Sequence, residues 1–269
     1  MSILTAVLAL VLLSALFGTM LVLASRVFKV ETDPKEAAVR SCLAGANCGA
    51  CGYPGCDGYA AAVARGEAPV NCCGPGGEET AKKIAEIMGL ENADTEAKKA
   101  FVACSGICGR VRVRFHYNGP QDCNAAMLFG GRGDKQCTFA CIGLGSCVKA
   151  CQFEALHMED GIAKINWDKC VGCGACAKVC PKDIIKLIPV SRRYAVACSS
   201  KGKGVPVMKV CDAGCIGCMK CQHNCPNGAI YVENNLARID HTKCVGCGIC
   251  AEVCPRGIIR HLSPTDFDD

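Results

Sequence analysis

Cysteine carries the chemistry of this chain, and the spacing of the cysteines says which chemistry. Residues 170–181 read CVGCGACAKVCP, 215–226 read CIGCMKCQHNCP and 244–255 read CVGCGICAEVCP. All three follow C-x2-C-x2-C-x3-C-P, in which three close thiolates hold one four-iron cube and the fourth reaches a second cube. The stretch 137–151, CTFACIGLGSCVKAC, also has four cysteines, but spaced C-x3-C-x5-C-x3-C. It is a damaged run, a zinc site or a working variant, and the rest of the chain has to decide.

A shift of 74 positions takes Cys137, Cys141, Cys147 and Cys151 onto Cys211, Cys215, Cys221 and Cys225. The same shift takes Cys170, Cys173, Cys176 and Cys180 onto Cys244, Cys247, Cys250 and Cys254. A single offset for so many cysteines marks an internal repeat. Only Cys218 has no counterpart, because Leu144 stands there. By pattern each copy resembles a two-cluster ferredoxin, in which the fourth cysteine of one run serves the cluster of the other. The second copy then groups Cys215, Cys218 and Cys221 with Cys254, and Cys244, Cys247 and Cys250 with Cys225. The first groups Cys170, Cys173 and Cys176 with Cys151, and Cys137, Cys141 and Cys147 with Cys180, Cys137 filling the vacated role. Pro181, Pro226 and Pro255 follow their runs; Gln152 departs from the pattern.

The intervening segments fit this layout. ALHMEDGIAKINWDKC carries Asp160-Gly161 between apolar arms, and AIYVENNLARIDHTKC carries Asn234-Asn235, both hairpin signals. DIIKLIP and GIIRHLS read as short strands after the last runs. Paired zinc-ribbon C-x2-C units would not need the third and fourth cysteines or the proline.

The chain has 269 residues and 27 cysteines. Such density belongs to disulfide scaffolds or to metal proteins. Clustered positions and an odd total favour metal over disulfides. Aromatics are only 5% of the residues, so the cores are thin and ligand bonds have to supply folding energy. A net charge of +5 with mixed signs gives no reason to expect nucleic acid.

Residues Ile3–Ala24 carry no charge. As a helix they would extend roughly 33 Å, the thickness of a bilayer core. No Lys or Arg precedes them, unlike a signal peptide. Arg26 and Lys29 follow, which places the N-terminus outside and the remainder in the cytoplasm, on the inner face of the cell membrane. A reducing cytoplasm also suits free thiolates.

Downstream, residues 46–77 read ANCGACGYPGCDGYAAAVARGEAPVNCCGPGG. Cys48, Cys51 and Cys56 crowd into a glycine-rich loop whose N–H groups can face cluster sulfurs. Asp57 and Gly66 read as the cap and the stop of a helix between them. Either Cys72 or Cys73 would complete the set. NCGACGYPGCDGYA followed by NCCGPGG resembles the four-cysteine module of the RnfB family, the B subunits of Rnf ferredoxin:NAD oxidoreductase complexes. The order of parts is also similar, over nearly the whole chain. The resemblance implies Cys73 as the last ligand with Cys72 spare, and a long form with two ferredoxin domains.

The expected fold is therefore α+β. A transmembrane helix (1–25) precedes a four-cysteine [4Fe-4S] domain (26–98) and a cysteine-containing connecting segment (99–132). The first ferredoxin-like domain (133–190), a returning connector (191–210) and the second ferredoxin-like domain (211–269) follow. The resemblance implies electron relay from soluble ferredoxin to membrane and flavin subunits that reduce NAD and move Na+ or H+. An anchor subunit of a hydrogenase or other dehydrogenase is the competing function, and a zinc-stabilised membrane scaffold is a third.

Of the remaining cysteines, Cys42 reads as a small buried residue. VACSG and VACSS, around Cys104 and Cys198, are near copies. Cys104, Cys108, Cys123 and Cys198 form the expected sixth [4Fe-4S] site, with Cys211 the alternative fourth ligand; structural thiols or a zinc site are the competing readings. Cys211-x3-Cys215-x2-Cys218 also spells a radical-SAM-like motif, but the repeat already uses two of its members. His116, His157, His223, His241 and His261 show no metal spacing, and FGGRGDK (129–135) reads as a loop. No P-loop or dinucleotide fingerprint appears. Arg110, Arg112, Arg114, Arg132, Lys135, Lys201, Lys203 and Lys209 could form a basic face for an acidic ferredoxin, or an ordinary solvated edge.

Overall fold

The computed structural model describes residues 3–27, 33–90, 96–129 and 132–262. Helix α1 (Ile3–Val27) stands at the N-terminus. Three helices follow, α2 (Pro34–Cys42), α3 (Gly55–Ala64) and α4 (Gly77–Met88). Asp33 caps α2 by accepting from the Lys35 N–H, with Pro34 in the first turn where its missing donor costs nothing. Helix α4 begins with Glu78 and Glu79, pairs them with Lys82 and Lys83 one turn on, and stops at Gly89 in the left-handed region. Val39, Tyr59, Ala60, Val63 and Ile84 are buried between the three.

Asp57 does not cap α3. That helix begins earlier, after Pro54, and Asp57 lies within its first turn, paired with Arg40 of α2. Gly66 has a positive φ and ends the helix as expected.

The rest of the chain folds as two similar units. The first contains β1 (Lys98–Val102), α5 (Cys123–Phe129), α6 (Ser146–Lys149), β2 (Leu156–Glu159), β3 (Ile162–Ile165), α7 (Ala175–Lys178) and β4 (Ile185–Pro189). The second contains β5 (Tyr194–Val196), α8 (Gly204–Val210), α9 (Lys220–His223), β6 (Ile230–Glu233), β7 (Leu236–Ile239), α10 (Ile249–Glu252) and β8 (Ile259–His261). In each, an antiparallel hairpin turns at the expected pair, Asp160-Gly161 or Asn234-Asn235, with positive φ at both residues. The strand after the last run does not end the unit alone. Strand β4 pairs antiparallel with β1, and β8 with β5, so strands upstream of the cysteine runs complete the sheets.

Residues 110–114, RVRVR, form no regular strand but strap the units together. Arg112 donates its N–H to the Val210 carbonyl at 2.9 Å and accepts from the Gln136 N–H at 2.7 Å. Asp212 donates to the Arg110 carbonyl, and Arg114 to that of Asp134, both at 2.7 Å.

The described side chains of α1 are mostly apolar and exposed, and the hydroxyls of Ser14, Thr19 and Ser25 bond back to carbonyls three or four residues earlier. Among the described residues no helix is long and apolar enough to cross a membrane; within α1 the side chains of residues 3–6, 9, 26 and 27 fall outside the described set.

The hairpin turn of the first unit presses on the cysteine loop. A Cβ on Gly143, at φ +93°, would lie 2.6 Å from the Gly161 carbonyl oxygen, whereas one on Gly228, at φ +57°, meets nothing. Gly143→Ala should lose roughly 2 kcal/mol or more, against about 1 kcal/mol for Gly228→Ala. Denaturant midpoints of the anaerobically purified variants check this, and equal midpoints would contradict the close contact.

Candidate iron–sulfur sites

Four apolar cavities lie in the two units, and cysteines line every one. In the second unit, Cys244, Cys247 and Cys250 share a cavity with Cys225, followed by Pro226. Cys215, Cys218 and Cys221 share another with Cys254, followed by Pro255. In the first unit Cys170, Cys173 and Cys176 surround a third with Cys151. These are the crossed groupings the spacing implies. Each results from a glycine-bearing loop feeding a one-turn helix, which places three sulfurs on one side and the fourth on the opposite run.

The fourth cavity departs from the expected set. Cys141, Cys147 and Cys180 line it, but Cys137 does not; Cys123 does. Residue for residue, this cavity matches the one around Cys215, with Cys141, Ile142, Cys147, Met158, Ala163, Cys180 and Pro181 in the places of Cys215, Ile216, Cys221, Val232, Ala237, Cys254 and Pro255. Cys123 is the extra cysteine in a cavity that lacks a counterpart of Cys218. Helix α5 delivers it. Asp122 caps that helix through the Ala125 N–H at 2.8 Å and also accepts from the Ser146 hydroxyl at 2.8 Å. The Ser146 oxygen in turn accepts the Cys123 N–H at 2.7 Å. These bonds, from Ala125 first and Ser146 second, hold the Asp122 carboxyl below its usual range. Leu144 packs against the same small core as Cys123. The sequence reading groups Cys123 with Cys104, Cys108 and Cys198 because it lies outside the repeat; the open position at Leu144 and the Asp-capped apolar helix are the signals that point to this cavity instead.

In the N-terminal module, Cys73 lies within electrostatic reach of Cys56 and Cys48, and its sulfur accepts N–H bonds from Gly76 and Ala44. Cys72 lies near Cys51. The Tyr59 hydroxyl ties the returning segment down, donating to the Pro69 carbonyl at 2.8 Å and accepting the Cys72 N–H at 3.1 Å. Asn47 accepts the Cys56 N–H at 2.8 Å, which shapes the other side of the loop. Cys42 is half-buried against this helical core.

The module abuts the first unit. Lys178 donates to the Ala50 carbonyl at 3.0 Å, Cys173 lies within electrostatic reach of Cys48, and a Cβ on Gly74 would come 3.1 Å from the Cys173 Cα.

The expected grouping of Cys104, Cys108, Cys123 and Cys198 is not assembled. Cys123 is in the fourth cavity, while Cys108 is exposed beside the Asp160-Gly161 turn. Cys104 is buried and Cys198 nearly so, between the units. Lys135 also leaves the expected basic face: it is buried and donates to the Gly161 carbonyl at 2.6 Å. Arg110, Arg112, Arg114, Arg132, Lys201, Lys203 and Lys209 are exposed. Residues 130 and 131 of the glycine-rich loop and the tail from residue 263 lie outside the described residues.

Burial pushes the Cys147 and Cys176 thiols up to about 12, and Cys141 and Cys221 to about 11. Without a cationic guest these thiols keep their protons, and a bound metal centre has to displace them. Cys225 goes the other way: its slight burial raises it, but N–H bonds from Ala229, Asn227, Ile230 and Gly228 lower it further. The same kind of contact recurs at Cys170, whose sulfur accepts the Ala100 N–H at 3.4 Å. Among the described residues no three His, Cys, Asp or Glu side chains close on a single ion. The cysteines line cavities instead. Apolar walls, inward sulfurs and N–H groups aimed at those sulfurs suit a four-iron cubane, whose charge is spread over its sulfurs.

Comparison with known proteins agrees with this chemistry. An Fe-S cluster family matches residues 43–75, and 4Fe-4S dicluster domains match 138–187 and 214–258. The chain is 45% identical to the B subunit of the ion-translocating oxidoreductase complex of Methanosarcina acetivorans, over 84% of this chain and 86% of the relative. It is 41% identical to the B subunit of the Na(+)-translocating ferredoxin:NAD(+) oxidoreductase complex of Acetobacterium woodii, covering 85% and 68%. The proton-translocating counterpart from Clostridium ljungdahlii is 40% identical, covering 85% and 81%. With relatives of this identity and coverage, and cysteine-lined cavities in both of its dicluster units, the chain belongs to the RnfB family, the B subunits of ion-translocating oxidoreductase complexes.

Proposed function

We propose that this chain is the electron-relay subunit of a membrane redox pump. It accepts electrons from reduced ferredoxin and hands them to membrane and flavin subunits that reduce NAD and move ions. The observation that carries this reading is the set of cysteine-lined cavities in two units, with the N-terminal module docked against one of them. Bound four-iron clusters supply one-electron stores at these places.

Five ligand sets follow. They are Cys48, Cys51, Cys56 and Cys73; Cys151, Cys170, Cys173 and Cys176; Cys123, Cys141, Cys147 and Cys180; Cys215, Cys218, Cys221 and Cys254; and Cys225, Cys244, Cys247 and Cys250. The protein's part is to hold the sulfurs, exclude water with Ile142, Ile185, Ile230 and Ile259, and point backbone N–H groups at charge. The Lys178 bond to Ala50 and the close approach of Gly74 to Cys173 make the first unit the neighbour of the N-terminal module, and the second unit the far end.

Helix α1 anchors the chain in this reading. Its 25 residues extend about 37 Å, and no charge interrupts Ile3–Ala24. Arg26 and Lys29 orient it with the cluster-bearing part on the cytoplasmic side. Deleting residues 1–27 should move the chain from the membrane to the soluble fraction with its iron retained; persistent sedimentation with washed membranes lacking the other subunits would contradict the anchor.

Anaerobic mixing of the full chain with reduced ferredoxin tests the relay. Its visible iron–sulfur absorption should bleach, and intact clusters that ferredoxin leaves oxidised would sink the proposal. The role of Cys123 has its own test. Cys123→Ala should lose one cluster of five or more, about four iron per chain, and the added Leu144→Cys should restore it. Full iron in the single variant would exclude Cys123 as a ligand.

A further inference from the structure

We propose that Cys104, Cys137, Cys198 and Cys211 together hold a further four-iron cluster at the seam between the two units, two ligands from each. This deepens the relay reading and rests on it. All four residues lie outside the three segments that match known iron–sulfur families.

The geometry is a local two-fold arrangement. In the first unit Ala103 donates its N–H to the Ile184 carbonyl at 2.8 Å; in the second Ala197 donates to that of Ile258 at 2.7 Å. The two VACS segments then face each other through reciprocal bonds. Ser105 donates its hydroxyl to the Ala197 carbonyl at 3.0 Å, and Ser199 donates to the Ala103 carbonyl at 2.9 Å. Cys104 and Cys198 lie between these bonds. Their sulfurs have matching partners: Cys104 accepts from the Gly106 and Cys141 N–H groups at 3.4 Å, and Cys198 from those of Ser200 and Cys215 at 3.4 and 3.3 Å.

The strap at 110–114 brings in the other pair. One edge pairs with the segment leading into Cys137, and the other pairs through Val111 with Cys211. Cys137 consequently packs against the cores of both units. Cys104 is the common neighbour, within electrostatic reach of Cys137, Cys198 and Cys211, and Cys211 is also within reach of Cys137.

Cations flank the place symmetrically. Lys182 lies near Cys137, and Arg256, which follows it by the repeat offset of 74, lies near Cys211 and donates to its carbonyl at 2.8 Å. Arg260, half-buried, faces Cys104. Four buried or half-buried thiols among cations and N–H donors form a place for an anionic centre. Transfer of a [4Fe-4S]2+ cluster from four carrier thiolates would break four iron–sulfur bonds to the carrier and form four to these cysteines, their four thiol protons passing to the carrier, with no change of iron oxidation state.

The location matters for relay. Cys104 touches the loop that carries Cys141, and Cys198 touches the loop that carries Cys215. A cluster there lies between the two ferredoxin-like units, and the sites then follow one another from the second unit to the N-terminal module.

Iron, acid-labile sulfide and low-temperature EPR on anaerobically purified full chain test this. The wild type should carry about 24 iron and 24 sulfide per chain. Cys198→Ala should carry about 20 of each and lose one EPR signal while the others persist. Cys211→Ser, which keeps an oxygen donor, covers the case in which Cys198→Ala fails to fold, and should shift or remove the same signal. Cys108→Ala should change nothing. About 20 iron in the wild type, or a full complement in both seam variants, overturns the seam cluster and leaves the relay standing. Little iron and sulfide in the wild type overturns the relay itself.

Discussion

A thiol in an apolar cavity cannot ionise without something to receive the charge, and this chain is built around such thiols. Cys147, Cys176 and Cys198 are pushed up to about 12 by burial. The surrounding cores are thin, consisting of a few Ile, Ala and Val side chains around each cysteine group. Among the described residues the sheets are two strands wide, and an isolated two-stranded hairpin is marginal in water. Ligand bonds to iron are the natural source of the missing stability, because binding energy at a site that forms only on folding is folding energy. Fold and cofactor would then stand or fall together.

That dependence explains why the two units look alike beyond their cysteines. The hairpins turn at matching positions, and each unit closes its sheet with an upstream strand, β1 or β5, paired to its last strand, β4 or β8. Those upstream strands end in the two VACS segments, so the pairing that completes each unit also brings Cys104 and Cys198 face to face. The cysteines that line the paired cavities differ between the units at one corner. Where the second has Cys218 in its loop, the first has Leu144 and borrows Cys123 from α5, held by Asp122 and Ser146.

Much of this was legible in the sequence because iron–sulfur ligation imposes short, fixed spacings. The three regular runs, their crossed pairing, both hairpin turns and the N-terminal module read directly from residue order. What could not be read depends on contacts across long stretches of chain. Cys137 reads as a substitute ligand because it is near Cys141 in sequence, yet the strap at 110–114 turns it toward the second unit. Cys123 and Cys108 read as partners of Cys104 and Cys198, yet the fold puts Cys123 beside Cys141 and Cys108 beside the Asp160-Gly161 turn. Lys135 looked like part of a charged surface, but its ammonium is spent on the Gly161 carbonyl. Asp57 resembled a helix cap and instead faces Arg40 on the neighbouring helix.

The most direct test of the central claim is a map of iron positions in the anaerobically isolated full chain, from anomalous scattering at the iron edge. The account predicts compact four-iron peaks in each cysteine-lined cavity and in the N-terminal module, with a further peak where the two VACS segments meet. Single-atom peaks, or cavities without iron, would contradict it.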